Sequence, residues 1–304
     1  MLTHNYSGLG RPAYNKVWYH NYCPDGFCAA MLAWRQLRTQ GHEVEYTGVS
    51  YNEPPPPTSP TDRILILDFC YDPDTMRVLH SQVAKLTVID HHKSTAKSMD
   101  GVLPSDVFLF DQQKCGAVMT WLFFHPSIAV PKLVLYIQDR DLWQWKLKGS
   151  REISASIDTY PKTFEVWNNL FFGSNRTDIN TLVSKGSNIL DSLEIMTSRL
   201  ADRAQPWKIG GYDGWVVNSS VLHSEIGHYL LEHKDESFVF GACYTVQNNG
   251  IVKFSLRSRE NFDCSEIAKT YGGGGHPQAA GFELSMSQFQ ELYEVNCGQK
   301  VVNS

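Results

Sequence analysis

No run of apolar residues in this chain approaches the roughly 20 needed to cross a bilayer. Runs such as Arg63 to Asp68 and Leu86 to Asp90 have the length of strands, and no membrane span is expected. The opening stretch MLTHNYSGLGRPAYNK has no apolar segment after its charges, so a secretory signal is not expected, and its first fourteen or so residues are expected to be a loose arm. C-x-x-C pairs are missing too. The seven cysteines (Cys23, Cys28, Cys70, Cys115, Cys243, Cys264, Cys297) are an odd number in a chain large enough to need no staples. That argues against a zinc ribbon or a disulfide framework and for a reduced, cytoplasmic protein. Basic charge is sparse: a net charge of -5 argues against a broad surface that holds long nucleic acid by counterion release alone. Any phosphate binding must be local.

What is present is 304 residues, 42% apolar and 19% charged, enough for one large core or, at about 150 residues each, two domains. The first half alternates β-branched or aromatic runs with amphipathic ones, the pattern of a parallel sheet covered by helices. Strands are expected at Val17 to His20, Glu43 to Ser50, Ile64 to Asp68 and Leu86 to Asp90. A helix is expected from Asp25 to Gln40, with Phe27, Ala30, Met31, Trp34 and Leu37 on one face and Gly41 as its stop. Glu53-Pro54-Pro55-Pro56-Pro57 is a stiff spacer, and Asp72-Pro73 opens another helix. From Gly116 to Arg203 the chain reads as mostly helical, ending in a long segment from Asp178 to Ala204. Gln205-Pro206 breaks it, Gly210 to Gly214 is a turn, and the domain boundary is placed at 204/205. The remainder alternates strand, helix, strand, strand, helix, with Asn248-Asn249-Gly250 as a hairpin signal.

Three strands thus end in His20, Asp68 and Asp90. Ligand sites of open α/β sheets lie outside the carboxyl ends of the strands, so one shared site is expected there. Val88-Ile89-Asp90-His91-His92-Lys93-Ser94 puts an acid and two imidazoles directly after a strand, a supply of hard and borderline metal ligands beside Lys93 and Ser94. One such pair alone is also what a satisfied polar turn looks like. His20, Asp25, Asp68, Asp90 and His91 gathered at one edge favour a metal site, in which two divalent ions about 3.5 to 4 Å apart activate water and neutralise a departing phosphate oxygen. Later, Gly272-Gly273-Gly274-Gly275-His276 offers backbone that can approach a phosphate closely, or else a flexible hinge. Arg257 supplies a local cation of bidentate geometry.

These motifs together, from the His20-Asn21-Tyr22-Cys23-Pro24-Asp25-Gly26 loop through Asp68 and Asp90-His91-His92 to Gly272–His276, resemble the DHH phosphoesterase superfamily. More narrowly they resemble its DHH/DHHA1 branch, with RecJ-like exonucleases and nanoRNase-type enzymes. The resemblance spans Lys16 to Leu284. It implies an α/β protein: an N-terminal α/β/α DHH domain with a parallel sheet (1–204), a smaller α/β DHHA1 domain (205–304), and a cleft between them. It also implies a manganese-dependent hydrolase, magnesium or another divalent ion being the alternative, that acts on short oligonucleotides or small nucleotides. His20, Asp25, Asp68, His91 and one acid of Gln138-Asp139-Arg140-Asp141 match the metal ligands, with Asp139 preferred and Asp141 the rival. Asp90 would orient the pair and His92 would touch the scissile phosphate. Arg257, Gly273, Gly274, Gly275 and His276 would hold the far phosphate or sugar. Pyrophosphate or polyphosphate is a second substrate class, disfavoured by the glycine loop, and a non-catalytic nucleotide-binding module is a third reading.

One position departs from the family. Its first loop usually offers two acids one residue apart, but Cys23 stands two before Asp25. Cys23 is either a soft ligand that weakens one metal or an inert thiol. Trp143 and Trp145 are expected to alternate along a strand or wall as core residues, with base stacking as the alternative. Lys114 is a candidate basic contact.

Overall fold

Ile64, Leu65, Ile66 and Leu67 are inaccessible to solvent, as a strand is when helices cover both its faces. The computed structural model of the protein describes residues 14–41, 43–51, 53–174 and 177–298. The four residues lie in β3 (Arg63–Leu67), the centre of a five-stranded parallel sheet. Its other strands are β1 (Lys16–His20), β2 (Glu45–Val49), β4 (Lys85–Asp90) and β5 (Phe108–Phe110), in the order β2-β1-β3-β4-β5. Strand order reverses between β1 and β3, so the crevice outside their carboxyl ends is the place for a ligand.

Side-chain alternation divides the core. Val17, Leu65, Leu67 and Ile89 point to one face, packed with residues of α1 (Pro24–Leu37), α4 (Gly116–Phe124), α5 (Lys132–Asp141), α6 (Ser150–Ile157) and α7 (Phe164–Phe172). Trp18, Ile64, Ile66 and Val88 point to the other, with Met76 and Leu79 of α2 (Pro73–Gln82). α2 starts as expected, the Asp72 carboxylate accepting from the amides of Asp74 and Thr75 at 3.1 Å. A short α3 (Lys93–Ser98) follows the Asp-His-His motif. The expected arm falls, up to residue 13, outside the described residues. Tyr14 is no part of an arm: it is buried and donates to Thr87 Oγ1 at 2.9 Å.

The long α8 (Ile179–Ala201) carries the chain onward. Two compact units divide at Met1–Leu190 and Asp191–Ser304, inside α8. The second unit holds β6 (Gln205–Ile209), β7 (Tyr212–Asn218), α9 (His223–His233), β8 (Phe240–Val246), β9 (Ile251–Ser258), α10 (Cys264–Thr270), β10 (Gly274–His276), β11 (Ala279–Ser285) and α11 (Met286–Cys297). Its sheet runs β10-β11-β9-β8-β7-β6, antiparallel except for β7 with β8. Phe240, Phe254, Leu256 and Phe282 pack on Ile267 of α10 and Phe289 of α11, while Val217 and Cys243 pack on Ile226 and Leu230 of α9. Asn248 to Gly250 turns β8 into β9, Gly250 taking a φ of 79°.

Several expectations need correction. Gln205-Pro206 does not merely break a helix but opens β6, which lies at the sheet edge, where proline loses no ladder bond. Trp143 and Trp145 are in neither a strand nor the core: both sit in the turn after α5 with φ of 53° and 52°, and Trp143 is 74% exposed.

Candidate active site

His20 is the last residue of β1, Asp68 follows β3 directly, and Asp90 ends β4, so three adjacent strands deliver polar side chains to one edge. Asp68 turns there with a φ of 57°, a left-handed conformation that aspartate tolerates better than most residues. Asp25 joins from the first turn of α1, His91 and His92 from the link between β4 and α3, and Asp141 from the end of α5.

His91 Nε2 lies 3.1 Å from Asp68 Oδ1, 3.3 Å from Asp141 Oδ2 and 3.8 Å from Asp25 Oδ2. His20 Nδ1 lies 3.5 Å from the other oxygen of Asp68. Two groups of donors result, His20 with Asp68 and His92, and Asp25 with His91 and Asp141, each offering ligand atoms within 4.8 Å of one another. Asp68 faces both groups, one oxygen to each. His20 Nδ1, both Asp68 oxygens, His91 Nε2 and Asp141 Oδ2 are buried and have no hydrogen-bond partner among the described residues. Buried polar atoms left unpaired are costly, and here they converge. Three carboxylates and three imidazoles suit a divalent ion of the manganese or magnesium kind, which these side chains fit.

The electrostatics carry the same signature. Burial, then the charges of Asp68 and Asp141, push the Asp25 carboxyl well above its usual range. Burial and Asp68 raise Asp141 also. Burial disfavours a charged His91, but Asp68, Asp25 and Asp141 outweigh it and raise the imidazole to about 9. For Asp68, burial is opposed by the facing imidazoles of His20 and His91, which hold it below its usual range. Protonated groups thus neutralise part of a charge that a cation would balance.

Two supports hold the donors. The Asp25 carboxylate accepts from the amides of Gly116 at 2.6 Å and Ala117 at 2.9 Å, free donors in the first turn of α4. This approach requires glycine: a Cβ on Gly116 would lie 2.6 Å from Asp68 Cβ and 2.9 Å from Asp25 Oδ2. Asp90, fully buried, accepts from the His91 amide at 2.8 Å and pairs with His92 Nδ1 at 2.7 Å, which raises the His92 imidazole and turns its Nε2 away from Asp90.

Asp139 is placed elsewhere. Its buried carboxylate accepts from the amides of Lys146 and Leu147, both at 3.0 Å, and Asp141 stands in the donor group instead. Cys23 caps α1 and belongs to neither group among the described residues. Burial, then Asp68 and Asp25, push its thiol up to about 12. Lys114 pairs with Asp111.

In the second unit, Arg257 on β9 is opposite Ala279 on β11, which is opposite His276 on β10. Residues directly opposite share a face, so arginine and histidine flank a small alanine. The guanidinium donates to Ser224 Oγ at 2.6 Å and to the Leu256 carbonyl at 2.8 Å. The glycines differ in what they serve. Added Cβ atoms on Gly273 and Gly275 would come 2.2 and 2.5 Å from carbonyl oxygens of Gly281 and Ala279, and Gly272 has a φ of 76°, whereas Gly274 has nothing within 4 Å. Of these four, Gly274 combines open space with an ordinary backbone.

The sequence pattern of the DHHA1 domain matches residues 218–296. Over 300 residues the chain is 27% identical to an uncharacterized protein, R106, of Acanthamoeba polyphaga mimivirus, covering 88% of this chain and 67% of that one. Over 262 residues it is 22% identical to the oligoribonuclease NrnB of Bacillus subtilis, covering 77% and 61%. Its fold is similar to that of a pGpG-specific phosphodiesterase, PggH, from Vibrio cholerae, with a TM-score of 0.55 at 12% identity over 94% of this chain and 98% of that one. Residues 218–296 are a DHHA1 domain, and the chain as a whole is similar to DHH/DHHA1 phosphoesterases.

Within the Asp90-His91-His92 run the three side chains do different things. Asp90 holds its neighbours, His91 faces three carboxylates, and His92 leaves a ring nitrogen free of Asp90. Gly116 was not anticipated from the sequence. Its signal was the Cys115-Gly116 start of a mostly apolar helix, where a glycine permits a close approach. The chain spans about two thirds of the length of the mimiviral relative and 61% of the oligoribonuclease.

Proposed function

We propose that this protein hydrolyses the phosphodiester of a dinucleotide or very short oligonucleotide, using two divalent cations, manganese for preference. Asp68 carries this reading, because its two orphaned oxygens face two groups of potential metal ligands, one oxygen to each. His20, Asp25, Asp68, His91 and Asp141 would hold the metals, Asp141 taking the place first expected of Asp139. Metal bound there supplies a lowered water pKa and a counter-charge for the departing oxygen. Asp90 fixes His92 so that its Nε2 can donate to a phosphate oxygen. Arg257, His276 and the backbone of Gly273 to Gly275 bind a phosphate on the second unit, for which we retain residues 205–304 as the substrate-binding domain and α8 as connector. A short substrate fits the net charge of -5. Support for the substrate class comes from the oligoribonuclease and the pGpG phosphodiesterase to which the chain is similar.

The test is hydrolysis of a 5'-phosphorylated RNA dinucleotide, a long single strand and pyrophosphate by metal-stripped protein titrated with manganese or magnesium. We expect metal-dependent turnover greatest on the dinucleotide and abolished by Asp68→Ala. Preference for pyrophosphate, or full activity in Asp68→Ala, overturns the reading.

A further inference from the structure

Three aromatic side chains of the first unit are strongly exposed among the described residues: Tyr22 (85%), Trp143 (74%) and Tyr51 (49%). All three border the same donors. Tyr22 stands between His20 and Asp25, Trp143 two residues beyond Asp141, and the Tyr51 ring lies 5.4 Å from that of His20. Two residues of chain reach at most about 7 Å, so the Trp143 backbone cannot be far from the cluster. Aromatic side chains are normally drawn into the core, and the other described aromatic residues of this unit are buried or half-buried.

The backbone is strained at the same places. Among the described residues five that are not glycine have positive φ, and four of them, Tyr22, Asp68, Trp143 and Trp145, are on the loops of this site. A bulky residue in that conformation persists only where its surroundings impose it, and such residues gather at functional sites. The surroundings here are specific. The Trp143 amide donates to the Arg140 carbonyl at 2.9 Å and the Gln144 amide to the Asp139 carbonyl at 2.9 Å. The Asp139 carboxylate then ties down Lys146 and Leu147. The Trp145 ring braces Trp143 edge-on at 5.1 Å, with the Arg151 guanidinium over Trp145. The loop that presents the exposed indole is thus tied down by hydrogen bonds, and the ring has a neighbour in Trp145.

We propose that Trp143, with Tyr22, forms a stacking platform for the nucleobases next to the scissile phosphate. The substrate class thereby narrows to nucleobase-bearing phosphodiesters and excludes pyrophosphate and polyphosphate; this rests on the phosphodiesterase reading above. Stacking uses the π face that every base has, so the platform accepts all four bases.

Two measurements test it. The first compares Trp143→Ala with wild type on an RNA dinucleotide and on its abasic counterpart, with the same sugars and phosphates. We expect kcat/KM to fall about 5- to 150-fold on the dinucleotide, to stay unchanged on the abasic compound, and to recover largely in Trp143→Phe. Equal losses on both substrates, or no loss on either, overturn the proposal. The second is quenching of tryptophan fluorescence by AMP in metal-free protein, expected in wild type and diminished in Trp143→Phe. If no substrate turns over, the phosphodiesterase reading fails separately, and quenching still decides: equal quenching in both proteins, or none, removes Trp143 as the platform.

Discussion

Asp139 and Asp141 stand two residues apart at the end of α5, and a helix turns about 200° in that distance, so only one of them can face the donor cluster. The difference gives them opposite mutational signatures. Asp139→Asn weakens two charge-assisted bonds that hold the turn after α5, and should lower stability by about 2 kcal/mol, or about 4–8 °C in Tm, while leaving manganese affinity largely intact. Asp141→Asn removes a carboxylate crowded by Asp68, so the metal-free protein should melt no lower than wild type, yet bind manganese more than about 100-fold more weakly, beyond what loss of an outer partner costs. Calorimetric metal titration beside thermal melts reads both. The reverse pattern would return the ligand role to Asp139. Sequence spacing showed that the acids compete but not the rotational register that decides between them, which depends on where α5 stops.

At the level of elements, the N-terminus of α4 is the support on which the site depends most. Gly116→Ala would drive a methyl group into Asp68 Cβ and Asp25 Oδ2, neither of which can retreat from its packed strand or helix. The start of α4 must back away, withdrawing the Gly116 and Ala117 amides from Asp25. We expect a loss of about 1–3 kcal/mol in stability and a manganese affinity reduced about 10- to 100-fold, read by denaturant titration and calorimetry; a silent substitution would mean that the clamp is dispensable. That support was invisible in the sequence because it joins residues 91 apart. The strands were legible, since Ile64 to Leu67 is a continuous apolar run and Leu86 to Ile89 is interrupted only by Thr87, and with them the ends that place His20, Asp68 and Asp90. The second unit was less so. β6 contains a proline and β10 is mostly glycine, residues that depress strand propensity and survive here because both strands are edges. α11 did have a signal, the Ser285-x-x-Gln288 capping box whose two reciprocal bonds form.

Across the whole molecule, the charge distribution matters more than the total. No helix among the described residues is long and apolar enough to cross a membrane. Two cations near the first site are committed elsewhere: Lys114 to Asp111, and Lys162 to the Tyr22 carbonyl at 3.3 Å. On the second unit Arg257 is joined to Ser224. Long single strands draw affinity from many neutralised phosphates, each adding about -0.7 to the slope of log K against log salt. A site that engages one or two phosphates, and gains the rest from metal and from an aromatic rim, has no such reserve. We therefore expect binding of a phosphorothioate-linked dinucleotide to fall with a slope of about -1 to -2 over a tenfold range of KCl, and lengthening the strand to steepen it little. A slope that grows with each added nucleotide would reveal a basic path on the folded surface, and would replace a short-substrate phosphodiesterase with a nuclease that tracks along its strand.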